Sequence, residues 1–266
     1  MIGNITIGQY IPGDSIIHRA DPRTKIILSI AFMAMIFLVK TFWTFTAMTL
    51  FIIMTVLISG VPLKYALKGL KPLLFIIIFT AVINIFTTEG TPISNIVPFK
   101  YITYEGILLA LKLTVRLALI IISGSLLTFT TTPILLTDGI EKLLSPFKKV
   151  GLPAHELAMM MSIALRFIPT LLEETDKIMK AQAARGADFD TGNLIQRAKS
   201  FIPVLVPLFV SAFRRADELA TAMEARCYKG GKGRTRMRQL KFTEADIMIT
   251  AVTAAFFAGL LLVQYI

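Results

Sequence analysis

The chain alternates long, nearly charge-free apolar runs with short polar breaks, and this alternation predicts most of its elements. Five runs stand out, at residues 26–39, 42–59, 73–88, 107–131 and 247–266. A soluble protein buries apolar residues without usually gathering them into five nearly charge-free blocks, so each run predicts a helix across a bilayer. The first is only about 21 Å long as a helix, which predicts a short, tilted or partly re-entrant crossing. Asp21-Pro22 precedes it and reads as a helix start, with Asp as N-cap and Pro in the first turn. Trp43 opens the second run, where an interfacial aromatic would sit.

The pattern changes between the fourth and fifth runs. There the apolar positions recur at helical spacing, with charges mostly on other faces. A first helix is predicted from Thr132-Pro133 to about Phe147, and a second from Pro153 to near Arg185, before Gly186. A third is capped by Asn193 and ends near Arg226, before the Gly-rich stretch at 229–233. Pro169, Pro203 and Pro207 fall inside these helices and predict kinks. The stripe of the second helix runs through Leu157, Met160, Met161, Ala164, Ile168 and Leu171. That of the third runs through Leu205, Leu208, Ala212, Ala216, Leu219 and Met223.

Composition agrees with a membrane protein: 55% of residues are hydrophobic and the mean hydropathy is +0.71. The net charge is +11, from 28 Lys and Arg against 17 acids. Its placement decides what it means. With the N-terminus inside, Arg19, Arg23, Lys25, Lys64, Lys68 and Lys71 face the cytoplasm, as do 18 more basic residues at 133–241. The two outer loops keep only Lys40 and Lys100, as the positive-inside rule requires. Nucleic acid is therefore not needed to explain the charge. The 230–241 stretch, with Arg234, Arg236 and Arg238, reads as a juxtamembrane linker meeting anionic lipid.

The expected fold class is an all-α polytopic membrane protein with about five transmembrane helices and long amphipathic cytoplasmic helices. Residues 1–25 form a cytoplasmic arm, 26–132 four spans, 133–241 a cytoplasmic helical domain and 242–266 the final span. The arm has no apolar core of a cleavable signal, so the first span is expected to direct insertion. One cysteine excludes an internal disulfide, and two histidines offer little for a metal site. No Gly-rich phosphate loop is present. Ser123-Gly124-Ser125 lies in a span, but neither His18 nor His155 does, so an intramembrane serine protease lacks its base. Small residues there serve close helix packing.

Two features of the 133–241 segment exceed amphipathicity. Met159-Met160-Met161 is a flexible apolar patch of the kind that suits changing partners. The second is a repeat: Asp176-x4-Ala181-x2-Ala184-Arg185 recurs as Asp217-x4-Ala222-x2-Ala225-Arg226, 41 residues on. The paired alanines leave one face open to close approach. Arginine in a last helical turn is favoured by the helix dipole, and one such residue would be ordinary. Two in matched contexts predict two matched receptors, each offering a carboxylate to the guanidinium fork. In the fourth span, Lys112 and Arg116 form an i,i+4 pair of intramembrane charges. They would snorkel outward or serve gating or a partner.

The chain resembles the transmembrane T components (EcfT) of energy-coupling factor transporters, relatives of the CbiQ subunits of cobalt and nickel uptake systems. The resemblance covers essentially the whole chain. It is carried by His18-Arg19-Ala20-Asp21-Pro22-Arg23-Thr24-Lys25, by Thr131-Thr132-Pro133, and by Ala184-Arg185-Gly186 and Ala225-Arg226-Cys227. It implies a non-catalytic subunit in the plasma membrane of a prokaryote. Two ABC-type ATPases would dock on the two tripeptides, with Arg185 and Arg226 as anchors. A membrane-embedded S component that binds a vitamin or other micronutrient would meet the same helices, with Met159, Met160, Met161, Ala181 and Ala222 at that interface. ATP and Mg would be used by the partners, and this chain would bind no cofactor. The competing reading is a self-contained secondary transporter or channel. It requires polar midplane residues and span-level inverted repeats, and only Asn84, Lys112 and Arg116 offer anything of the kind.

Overall fold

The computed structural model describes residues 10–91, 102–189, 191, 193–231 and 240–265. Among them the regular structure is helical: α1 (Ile16–Arg19), α2 (Pro22–Leu38), α3 (Phe42–Ser59), α4 (Leu63–Lys68), α5 (Leu74–Thr87), α6 (Tyr104–Thr130), α7 (Pro133–Leu144), α8 (Ala154–Ala184), α9 (Leu194–Ser200), α10 (Ile202–Ala225) and α11 (Glu244–Tyr265). Six helical stretches are long and apolar enough to cross a membrane: Phe42–Ser59, Leu63–Thr87, Tyr104–Thr130, Ala154–Ala184, Ile195–Ala225 and Glu244–Gln264. The protein is an all-α, multi-pass membrane protein. Lys100, Arg234, Arg236 and Arg238 lie outside the described residues.

The α2 helix begins where Asp21-Pro22 predicts. The Asp21 side chain accepts from the Arg23 N–H, and Pro22 occupies the first turn. At 17 residues it is one residue shorter than α3. The third run forms α5 within its expected bounds. The lysines before it are also in helical turns: Lys64 and Lys68 belong to α4 and Lys71 to a short 3-10 turn leading into α5. Pro72 lies in the first turn of that 3-10 segment, where proline is tolerated, so the helical path continues from Leu63 to Thr87. The predicted third helix of the 133–241 segment is likewise divided, into α9 and α10. Pro203 removes an N–H donor there, and Phe201 joins the two pieces.

Two compact units divide the chain. One comprises the described residues of 10–139 and 240–265, the other those of 140–231. The border falls inside α7. Close packing explains it: a Cβ on Gly139 would lie 3.0 Å from Cβ of Pro22 and 3.2 Å from Ile26. A larger residue there would require Pro22 or Ile26 to give way by a few tenths of an ångström.

The larger unit is centred on a cluster of Phe32, Met35, Ile36, Val39, Phe45, Met48, Ile52, Leu119 and Leu260. These come from α2, α3, α6 and α11. Phe51 and Phe256 stack at 4.3 Å, joining α3 to α11. In the smaller unit α8 packs on α10, and few of their residues are fully buried.

Candidate functional site

The ends of α8 and α10 are built alike to the level of single hydrogen bonds. Arg185 is the C-cap of α8 (φ −88°, ψ 6°) and Arg226 that of α10 (φ −91°, ψ 16°). Each is followed by a residue in the left-handed region, Gly186 at φ 91° and Cys227 at φ 56°. At the first end Gly186 N donates to Ala183 O and Ala187 N to Gln182 O, both at 3.0 Å. At the second Cys227 N donates to Glu224 O at 2.8 Å and Tyr228 N to Met223 O at 3.0 Å. This paired bonding is the Schellman closure, which satisfies the last carbonyls and turns the chain sharply away. The third position of each tripeptide is therefore a conformational requirement. Glycine meets it without strain, while cysteine adopts a conformation costly to a side chain.

Ala184, Arg185, Gly186, Ala225, Arg226 and Cys227 are all exposed, as are Ala181 and Ala222. Neither guanidinium has a partner among the described residues. Both are exposed at the tip of a helix, each preceded by a small alanine. Asp176 is engaged instead with Lys180 at 2.5 Å, and that hydrogen bond holds its carboxyl below the ordinary value. Met159 is half-buried, while Met160 and Met161 are exposed.

Contacts between α8 and α10 establish how the tips point. The two oxygens of Glu174 accept from Ser211 Oγ and, at 2.9 Å, from Arg215 Nη2. Further along α8, Gln182 Nε2 donates to Pro203 O at 3.4 Å. Moving C-terminally on α8 thus moves N-terminally on α10, so the helices pack in antiparallel sense. Their C-terminal arginines point away from each other. Sequence reasoning had missed Glu174 and Arg215. The available signal was their spacing, 41 residues, the same as the repeat.

His155, in the first turn of α8, has defined partners. Its Nδ1 lies 3.1 Å from Glu141 Oε1 and its Nε2 3.5 Å from the Tyr228 hydroxyl. These contacts tie the chain after the second tip back to the start of α8.

In the larger unit the residues of the N-terminal motif form a clasp. The Asp21 carboxylate receives Arg23 Nε at 3.0 Å and Nη2 at 2.8 Å. Burial alone would push the Asp21 carboxyl up, but the Arg23 hydrogen bonds and the charges of Arg23 and Lys25 outweigh it and hold it below its ordinary value. The Arg23 guanidinium lies 4.0 Å over the Phe242 ring. Asp21 N donates to Asp246 Oδ1 at 2.6 Å, and Thr243 N and Oγ1 cap the other oxygen. Lys25 Nζ reaches His18 O, Thr130 O and Thr131 Oγ1. The motif therefore joins the arm to the end of α6 and the start of α11. Asp246, a buried acid in a span's first turn, was not singled out from sequence.

The intramembrane pair is separated by its surroundings. Arg116 Nη2 donates to Val39 O, the C-cap carbonyl of α2, at 3.3 Å. Its guanidinium faces the rings of Phe45 and Phe37 at 5.4 and 5.8 Å. A cation is favourable at that helix end. Lys112 is half-buried and has no partner among the described residues. An apolar cavity of about 340 Å³ opens among α1, α2, α3, α6 and α11, walled by residues such as Phe32, Ile52, Leu126 and Val252. Among the described residues no group of three acids, histidines or cysteines could hold a metal ion.

Comparison with known proteins is consistent along the chain. Residues 13–237 match the CbiQ family, described as cobalt transport protein. A protein of Ruminiclostridium cellulolyticum named energy-coupling factor transporter transmembrane protein EcfT is 62% identical over 266 residues, 100% of this chain and 99% of its own. Proteins of the same name share 56% identity in Thermosediminibacter oceani (98% of each chain) and 49% in Bacillus subtilis (94% of each chain).

Proposed function

Because the chain belongs to the CbiQ/EcfT family of energy-coupling factor transporter transmembrane proteins, we propose that it couples two ABC-type ATPases to a substrate-binding S component. The observation that carries this is the pair of similarly capped, exposed arginine tips on α8 and α10. Two separated tips of one design suit two separate but homologous receptors. One arginine would be explained by capping alone. The Schellman turn fixes the backbone that carries each arginine, and the planar guanidinium fork suits bidentate binding of a carboxylate.

In this reading ATP and Mg are bound and used by the partners. The chain lies in the cell membrane with its N-terminus and the 140–239 unit on the cytoplasmic side, as the distribution of basic residues supports. The S component, meeting α8 and α10 through apolar surface such as Met160 and Met161, determines which micronutrient is carried.

The test is capture from native membranes. The tagged chain is expected to bring down two ABC ATPases and a small membrane protein. Arg185→Ala and Arg226→Ala should each weaken ATPase capture and uptake while leaving the chain in the membrane. Normal assembly and transport by the double variant would overturn the docking role.

A further inference from the structure

The contact between α8 and α10 sits at a special place in the repeat. Shifting residue 174 by the repeat offset of 41 gives residue 215, so Glu174 and Arg215 occupy equivalent positions on the two helices. A contact between equivalent positions of an antiparallel pair marks its local two-fold point. Arg185 lies eleven residues beyond Glu174, and Arg226 eleven beyond Arg215. Each tip is thus about 16 Å along its helix from the same point, at 1.5 Å per residue.

The neighbouring interface is weakly specified. Few residues of α8 and α10 are fully buried, and the stripe residues Leu157, Met160, Met161 and Leu205 are exposed, so apolar packing alone does little to choose a register. A polar pair at one position is an effective device for choosing a register. Here both oxygens of a single carboxylate are used, one by Ser211 and the other by Arg215 at 2.9 Å. The side chains are 22% and 35% exposed, so water only partly competes.

We propose that Glu174, Ser211 and Arg215 form a register pin that stops α8 sliding past α10 and so holds the two arginine tips at one fixed separation. The functional value of that separation rests on the ATPase-docking reading. A slip of one turn would move one tip by about 5 Å relative to the other. That is more than a guanidinium–carboxylate contact tolerates if the two receptors are rigidly paired.

The experiment is a distance measurement on the full chain in lipid nanodiscs, without its partners. Spin labels are placed at the equivalent exposed positions 180 and 221, as Lys180→Cys and Thr221→Cys in a Cys227→Ser background. The parent is expected to give one narrow distance. Glu174→Ala and Arg215→Ala should broaden it or add a population displaced by about 5 Å, with helicity by circular dichroism retained. The charge-swapped Glu174→Arg/Arg215→Glu chain should narrow it again. Single variants that keep the parent distribution overturn the proposal, and so does a broadened distribution that the swap leaves broad. Failure of the docking reading looks different: ATPase capture that ignores Arg185→Ala and Arg226→Ala, with these distances unaffected.

Discussion

The backbone N–H of Asp21 donates to the carboxylate of Asp246 at 2.6 Å, across 225 residues of chain. The arm before the first span is therefore anchored to the first turn of the last. Asp246 is buried, and its other oxygen is held by Thr243. Asp246→Ala would leave the Asp21 N–H without its acceptor and uncap α11. We expect a loss of about 2–3 kcal/mol, seen as a lower midpoint of thermal unfolding in nanodiscs. Asp246→Asn, which keeps an acceptor oxygen, should lose less. Equal midpoints for parent and Asp246→Ala would remove the clasp from the account.

The left-handed third residues of the two tripeptides predict substitutions of opposite sign. Gly186→Ala should destabilise the end of α8 by about 1 kcal/mol, since its φ of 91° strains any side chain. Cys227→Gly should stabilise the end of α10 by about 0.5 kcal/mol, the relief of strain being partly offset by unfolded-chain entropy. Hydrogen exchange of the amides at 186–187 and 227–228 reads both. The same sign at both ends would contradict the capping geometry.

Cys227 is the chain's single cysteine, and it is exposed. If the 140–239 unit is cytoplasmic, a membrane-impermeant maleimide should label it in inside-out vesicles and not in intact cells. Bound ATPases should protect it, because it adjoins Arg226. Ready labelling of intact cells would reverse the orientation.

Arg116 is expected to act through packing rather than transport. Arg116→Ala removes the donor to Val39 O and the cation from two aromatic rings. A loss of about 1–2 kcal/mol follows. Arg116→Lys should recover part of it, since an ammonium keeps the charge without the planar fork. The measurement is again the thermal midpoint, with ATPase capture unchanged. Altered capture with an unchanged midpoint would point to a partner role instead.

What could be read from the chain alone was whatever depends on local pattern. Apolar runs as long as a bilayer is thick, the Asp21-Pro22 start, the glycine after Arg185 and the excess of basic residues each carry their meaning within a few neighbours. The 41-residue repeat belongs with them, because it is visible as text, and so do the two arginines at its ends. The divided third helix was less legible, since whether Pro203 kinks or interrupts depends on what packs around Phe201.

Only tertiary structure decided which distant groups meet. Asp246 looks like an ordinary first-turn acid until Asp21 is brought to it, and Arg116 like a stranded charge until the end of α2 and two phenylalanines surround it. Glu174 and Arg215 are two surface charges in the sequence. Their meeting, in antiparallel sense at equivalent positions, makes the arginine tips point apart. Hydrophobic periodicity is short-ranged and survives in one dimension. The pairing of charges across helices depends on register and packing, which the chain acquires only by folding.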